Sequence, residues 1–132
     1  MATLFSRIIS GEIPCYKVAE DNRFFAFLDI HPLARGHVLV VPRVETDYLF
    51  DLDDDMLSGM ILFAKKVAVA IKQEIPCNRV GVAVIGLEIP HAHIHLVPVN
   101  GLGDLDFSNP KISLTPEEFS EIAIRISNAV SL

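Results

Sequence analysis

Cysteine is scarce. Only two residues, Cys15 and Cys77, carry a thiol; they stand far apart and form no C-x-x-C pair. That excludes a disulfide framework and points to reduced thiols in a cytoplasmic protein. Positive charge is also short: 11 Lys and Arg face 17 Asp and Glu, a formal net charge of -6 at pH 7. No basic stripe is available to neutralise phosphates, which argues against a general nucleic-acid binder, though not against one nucleotide in a local pocket. No apolar run is long enough to cross a membrane. The most apolar helix candidate, residues 56–71, contains Lys65 and Lys66 and is too short and too charged to span a bilayer. The first residues, MATLFSRIISGEIP, hold no signal-peptide hydrophobic region, because Arg7 interrupts it and polar residues follow. Repeats, low-complexity tracts and Gly/Ser linkers are missing as well. The expectation is one domain over residues 1–132, cytoplasmic, with neither nucleic acid nor membrane as partner.

What is present is a globular composition, 51% hydrophobic and 21% charged, enough for a single core. Leu4, Phe5, Ile8 and Ile9 follow helical spacing up to Gly11. CYKVAE and FFAFLDI read as strands around the turn EDN, and HVLVVP (37–42) as a central strand buried on both faces. Asp53, Asp54 and Asp55 suit a helix N-terminus. After them Met56, Met60, Phe63, Ala64, Val67 and Ile71 recur at three- and four-residue steps. RVGVAVIG (79–86) and HAHIHLVPV (91–99) read as further strands, and residues 100–114 as a long loop. A final helix is announced by Thr115, Pro116 and Glu118 as N-cap, first helical residue and capping-box partner. The order α-β-β-β-α-β-β-loop-α predicts an α+β fold: a mostly antiparallel five-stranded sheet with flanking helices.

The stretch IPHAHIHLVPVN concentrates three of the five histidines, His91, His93 and His95, on alternate positions. On a strand these share one face, about 7 Å apart, while Ala92, Ile94 and Leu96 face the core. Three chemistries compete. The imidazoles are structural, each needing a hydrogen-bond partner. Or two of them bind Zn²⁺ with a third ligand from elsewhere. Or one attacks phosphorus while its neighbours donate to phosphate oxygens; imidazole suits this because it is neutral near pH 7.

The pattern His-φ-His-φ-His-φ-φ, with φ hydrophobic, is met at every position by HAHIHLV. Together with LFSRIISGEIP and EDNRFFAFLDIHPLARGHVLVVP upstream, it makes the chain resemble the histidine-triad (HIT) superfamily of nucleotide hydrolases and transferases, in its nucleoside phosphoramidase-like branch. The resemblance covers most of the chain and weakens from Gly101 onward. It implies a HIT-like fold and a homodimer, to whose interface helix 56–71 contributes. The substrate it implies is a nucleoside monophosphate or nucleotidyl conjugate, and it implies no cofactor. His93 would be the nucleophile on the α-phosphate, its other ring nitrogen held by a backbone carbonyl. His91 and His95 would orient the site and hydrogen-bond the phosphate. His37 matches a fourth histidine beside the triad, or is a strand-edge structural residue. Asp29 matches the carboxylate that accepts from both ribose hydroxyls, or is a turn former. Phe5, Ile8, Ile13, Phe27 and Ile30 match positions that sandwich the base, although each also suits a core.

Three departures from the family pattern stand out. Many members carry a C-x-x-C and a histidine after the central strand, joined in a structural zinc site; here Thr3, Ser6 and Glu45 occupy those positions, so no metal is expected. The usual Gly-Gln-Ser/Thr before the triad is Gly86-Leu87-Glu88. A carboxylate there repels phosphate unless protonated or turned away, and Glu88 becomes a candidate leaving-group acid. An expected Asn falls at Val80, with Asn78 nearby. A nucleotide-binding regulatory module with little catalysis is the alternative function.

Overall fold

In the computed structural model, which describes residues 2–132, five antiparallel strands form one sheet. They are β1 (Lys17–Glu20), β2 (Phe24–Leu28), β3 (Val38–Pro42), β4 (Arg79–Ala83) and β5 (Ile94–Val99), in the spatial order β1-β2-β3-β5-β4. Three α-helices accompany them: α1 (Leu4–Ile9), α2 (Asp54–Glu74) and α3 (Pro116–Ala129). The α+β class and the element order expected from the sequence are met.

Residue alternation divides the two faces of the sheet. Phe24, Ala26 and Leu28 of β2, Val38 and Val40 of β3, and Ile94 and Leu96 of β5 join Met60, Phe63, Val67 and Ile71 of α2 and Phe119, Ile122 and Ile126 of α3 in the main core. The intervening residues Phe25, Phe27, Leu39 and Val41 turn the other way and pack with Phe5 and Ile8 of α1. One sheet thus separates a two-helix apolar core from a smaller layer under α1. β3 is buried along its whole length, as a central strand should be.

The helix ends follow local chemistry. Asp53 caps α2 by accepting from the Met56 N–H at 2.8 Å, so α2 begins two residues before the expected Met56. It continues past Ile71 to Glu74 and stops where Ile75 precedes Pro76, a position that disfavours helical backbone. Thr115 and Glu118 form the expected capping box.

Two strands are shorter than their patterns. β4 ends at Ala83, so Val84, Ile85 and Gly86 leave the ladder. β5 begins only at Ile94, so His91, Ala92 and His93 precede it. The expectation of three evenly spaced imidazoles on one open strand face is therefore corrected. All three rings are buried, at 0%, 7% and 9% exposure for His91, His93 and His95. Alternation predicts which face a side chain takes but not what covers that face, and here the cover is α1 and the loop after β5.

Candidate active site

A cavity of about 530 Å³ opens on the α1 face of the sheet. Its wall includes Phe5, Ile8, Ile13, Phe27, Asp29, Ile30, Gly86, Glu88, His93 and His95. The structure thus brings together ten of the twelve site residues expected from the sequence. The other two, His91 and His37, lie behind the wall and act on it through hydrogen bonds.

His93 sits where the chain enters β5. Its Nδ1 is 2.7 Å from the His91 backbone carbonyl. A carbonyl only accepts, so Nδ1 carries a proton, and in the neutral ring Nε2 keeps the free lone pair. The Phe5 ring meets the imidazole edge-on, 5.0 Å between centroids. The site therefore presents one buried, oriented ring nitrogen to its cavity.

His95 and His37 make a second relay with its own polarity. The Leu33 N–H donates to His37 Nδ1 at 3.0 Å, which leaves the His37 proton on Nε2. That Nε2 stands 3.0 Å from His95 Nδ1 and donates to it, so the His95 proton resides on Nε2. Burial, with the charges of His95 and Lys111, pushes the His37 pKa down to about 3. Burial and then His93 push His95 down to about 4. Both rings are neutral near pH 7, as the one-proton-per-ring assignment requires. The 3.5 Å approach of His37 Nε2 to Asp29 Oδ2 is accordingly not an ion pair.

Asp29 follows β2. Its Oδ1 accepts the His31 N–H at 2.8 Å, and its backbone N–H bonds the His37 carbonyl at 3.0 Å, closing the loop 29–37 that Gly36 turns at φ +85°. Burial raises the carboxyl above its ordinary pKa, against the opposing pull of the His31 N–H and nearby positive charge. Gly86 takes φ +76° in the loop after β4, a backbone that favours glycine. Glu88 and Leu87 follow on the same rim, both exposed. Asn78 is spent on Asn100, whose side chain and carbonyl it bonds, and it is not part of the wall.

Two groupings bear on metals. Donor atoms of Asp29, His37 and His95 lie within 4.8 Å of one another. The Leu33 N–H, however, occupies His37 Nδ1 and forces a proton onto the Nε2 that a metal would need. The positions linked by resemblance to structural zinc also converge: Thr3 Oγ1 is 2.6 Å from His91 Nδ1, and the Thr3 N–H donates to Glu45 Oε1 at 2.9 Å. Two hydroxyls and one carboxylate offer no thiolate, and His91 Nε2 is already committed to the Pro42 carbonyl at 2.7 Å. Neither donor set fits a zinc ion.

The sequence reading missed Phe107 and Lys111, which close the wall from the loop after β5. Phe107 lies edge-on to His95 at 4.7 Å between centroids. Lys111 is the wall's single lysine or arginine among the described residues, and its Nζ donates to the Phe107 and Asn109 carbonyls. No periodicity marks either residue. The signal that was available was a lone cation between Pro110 and Ile112 in an otherwise uncharged run.

Comparison with known proteins places these features. The HIT domain family matches residues 10–101. The adenosine 5'-monophosphoramidase of Schizosaccharomyces pombe is 32% identical over 134 aligned positions, covering 98% of this chain and 99% of its own. An uncharacterized HIT-like protein of Borreliella burgdorferi is 33% identical, covering 94% and 95%. Among solved structures, a Hit-like protein from Bartonella henselae superposes with a TM-score of 0.83 at 29% identity, covering 97% and 96%. A zinc-bound histidine triad family protein from Mycobacterium smegmatis superposes at 0.82 and 27% identity, covering 98% and 93%.

Proposed function

Because the chain belongs to the HIT domain family, we propose that it is a nucleotide hydrolase or transferase that cleaves a nucleoside 5'-phosphoramidate, or a related nucleotidyl conjugate, through a nucleotidyl intermediate on His93. The observation that carries this reading is the 2.7 Å bond from His93 Nδ1 to the His91 carbonyl, which leaves Nε2 as the nucleophile. The phosphoramidase similarity supports the substrate class.

In the proposed reaction the base lies between Phe5, Ile8, Ile13, Phe27 and Ile30, and Asp29 accepts from the ribose hydroxyls. His93 Nε2 attacks the α-phosphorus, and the bond from phosphorus to the leaving nitrogen breaks. The His95 Nε2–H donates to a phosphoryl oxygen. The leaving nitrogen takes a proton from solvent water at the exposed rim where Glu88 stands. In the second step water attacks the same phosphorus, the P–Nε2 bond breaks, and the water's proton passes to solvent at that rim. The products are a nucleoside monophosphate and free His93.

Incubation with adenosine phosphoramidate is the test. AMP release and a mass adduct on His93, both absent from His93→Ala, are expected; undiminished turnover by His93→Ala sinks the proposal. Leu87 and Glu88 on the exposed rim favour a second reading, a nucleotide-binding module with little catalysis. AMP binding by calorimetry without turnover of the phosphoramidate is its signature.

For assembly, we propose a homodimer. Helix α2, edge strand β4 and the loop that follows it leave Ile61, Leu62, Val69, Val82 and Ile85 at least half exposed, and an unpaired apolar edge invites a second copy. Light scattering at twice the monomer mass supports it; a monomer overturns it. No helix among the described residues is long and apolar enough to cross a membrane. The free Cys15 and Cys77 support the cytoplasm as its compartment.

A further inference from the structure

The nucleophile is oriented by a backbone carbonyl, and the residue owning that carbonyl, His91, is itself clamped. His91 Nε2 is 2.7 Å from the Pro42 carbonyl, which only accepts, so Nε2 carries the proton. Burial, ahead of every other influence, holds the His91 pKa below its ordinary value, so the ring is neutral and Nδ1 is a lone pair. The partner of Nδ1 at 2.6 Å is the Thr3 hydroxyl, which must donate. With its one proton committed, the Thr3 oxygen accepts from the Ser6 N–H at 3.0 Å and so caps α1. The Thr3 N–H is held at 2.9 Å by Glu45, whose carboxyl is kept below its usual range by the Ser6 hydroxyl and then by Thr3 itself. Backbone bonds from His91 N–H to the Ile89 carbonyl and from Ala92 N–H to the Thr46 carbonyl complete the clamp. The Thr3 hydroxyl also approaches Ser6 Oγ, but at 3.2 Å against 2.6 Å to His91 Nδ1, so its proton goes to the histidine.

We propose that Thr3 is a positioning residue for the reaction. By donating to His91 Nδ1 it fixes the ring and plane of His91, and with them the carbonyl that holds the His93 proton on Nδ1. The same residue caps the helix that carries Phe5 and Ile8 to the base side of the cavity. The seat of the base and the lone pair of the nucleophile therefore share one anchor, made of hydrogen bonds alone. This inference rests on His93 as nucleophile.

Three variants separate positioning from capping. Thr3→Ser keeps both the donor and the cap. Thr3→Val removes both. Thr3→Asp keeps the cap acceptor, since aspartate caps helices as well as threonine, but an ionised carboxylate has no proton for His91 Nδ1. Steady-state turnover of adenosine phosphoramidate is measured beside imidazole ¹⁵N and ¹H spectra. The expected result is a kcat lower by about tenfold or more in Val and Asp, KM within about threefold, and Ser close to wild type. In the spectra His91 Nδ1 moves and the His93 Nδ1–H exchanges faster with solvent. Wild-type kcat in folded Val or Asp overturns the proposal, as does a change confined to KM; if Val does not fold, Asp decides. Absent turnover by the wild type removes the catalytic reading while the spectra still test the clamp, and an unmoved His93 Nδ1–H in Asp then overturns it.

Discussion

The two faces of this sheet are made by the same strands and differ by one residue step. On the helix side, Phe24, Ala26, Val38, Val40, Ile94 and Leu96 meet α2 and α3 through apolar contact alone. On the α1 side, neighbours in the same strands or just before them are His37, His93 and His95, equally buried but held by single directed hydrogen bonds. Burial on the first face is interchangeable in kind: any residue of similar volume supplies it. Burial on the second face is specific, because each imidazole must keep one proton on one nitrogen. The proposed chemistry is confined to the face where burial is paired with directed bonds, and the other face bears the load of folding.

The sharpest way to test that division is at adjacent residues. Ile94→Ala is expected to cost about 2–5 kcal/mol of stability, read by urea denaturation, with turnover of the folded fraction within about threefold of wild type. His93→Ala is expected to reverse the pattern: turnover falls by about a thousandfold or more, while the urea midpoint moves little. If the two substitutions trade these outcomes, or both reduce both quantities equally, the faces are not separable.

The next effect is a pH dependence that belongs to one face only. His37 and His95 have folded pKa values near 3 and 4 against about 6.5 in the unfolded chain. Between those limits the unfolded state binds more protons, so stability falls as pH is lowered from 6.5 toward 4 and is fully present above 6.5. Asp29, whose pKa is raised by burial, works in the opposite sense but only in the carboxylate range. The urea midpoint is expected to drop between pH 7 and pH 5, and to drop less in His37→Phe. A flat midpoint across that window in the wild type means the imidazoles titrate freely in the fold.

The helix face was legible in the sequence because it rests on period: two-residue alternation in FFAFL and HVLVVP, three- and four-residue steps along α2, and capping at Asp53 and Thr115. The α1 face was half legible. The triad spacing and the matched upstream segment named residues that the fold gathers in or behind one cavity wall, but alternation could not foresee that His91 and His93 leave the ladder. What sets their rings is a carbonyl and a hydroxyl, the latter 88 residues away in Thr3. Local pattern carries no record of such a partner. Phe107 and Lys111 escaped for the same reason. Their loop is shaped by its own bonds, such as Asp104 to the Asn100 and Gly101 N–H groups, rather than by any period.

Two smaller effects probe the polar face at its rim. Asp29→Asn removes the charge that is proposed to accept two ribose hydroxyls, and is expected to cost AMP affinity by about tenfold. Its preference for AMP over 2'-deoxy-AMP should shrink together with affinity; an unchanged preference places the ribose elsewhere. Lys111→Met is expected to act on charge alone. Lys111 is the wall's single lysine or arginine among the described residues, and a phosphate in the cavity gains from its charge. Because Lys111 is exposed, the gain is screened, and the expected loss of AMP affinity is about threefold, fading as salt is raised. Adenosine, which lacks the phosphate, should bind both proteins alike. Equal losses for AMP and adenosine would instead mean that Lys111 serves only to fold its loop through the Phe107 and Asn109 carbonyls, and the cavity would then meet phosphate without help from a lysine or arginine.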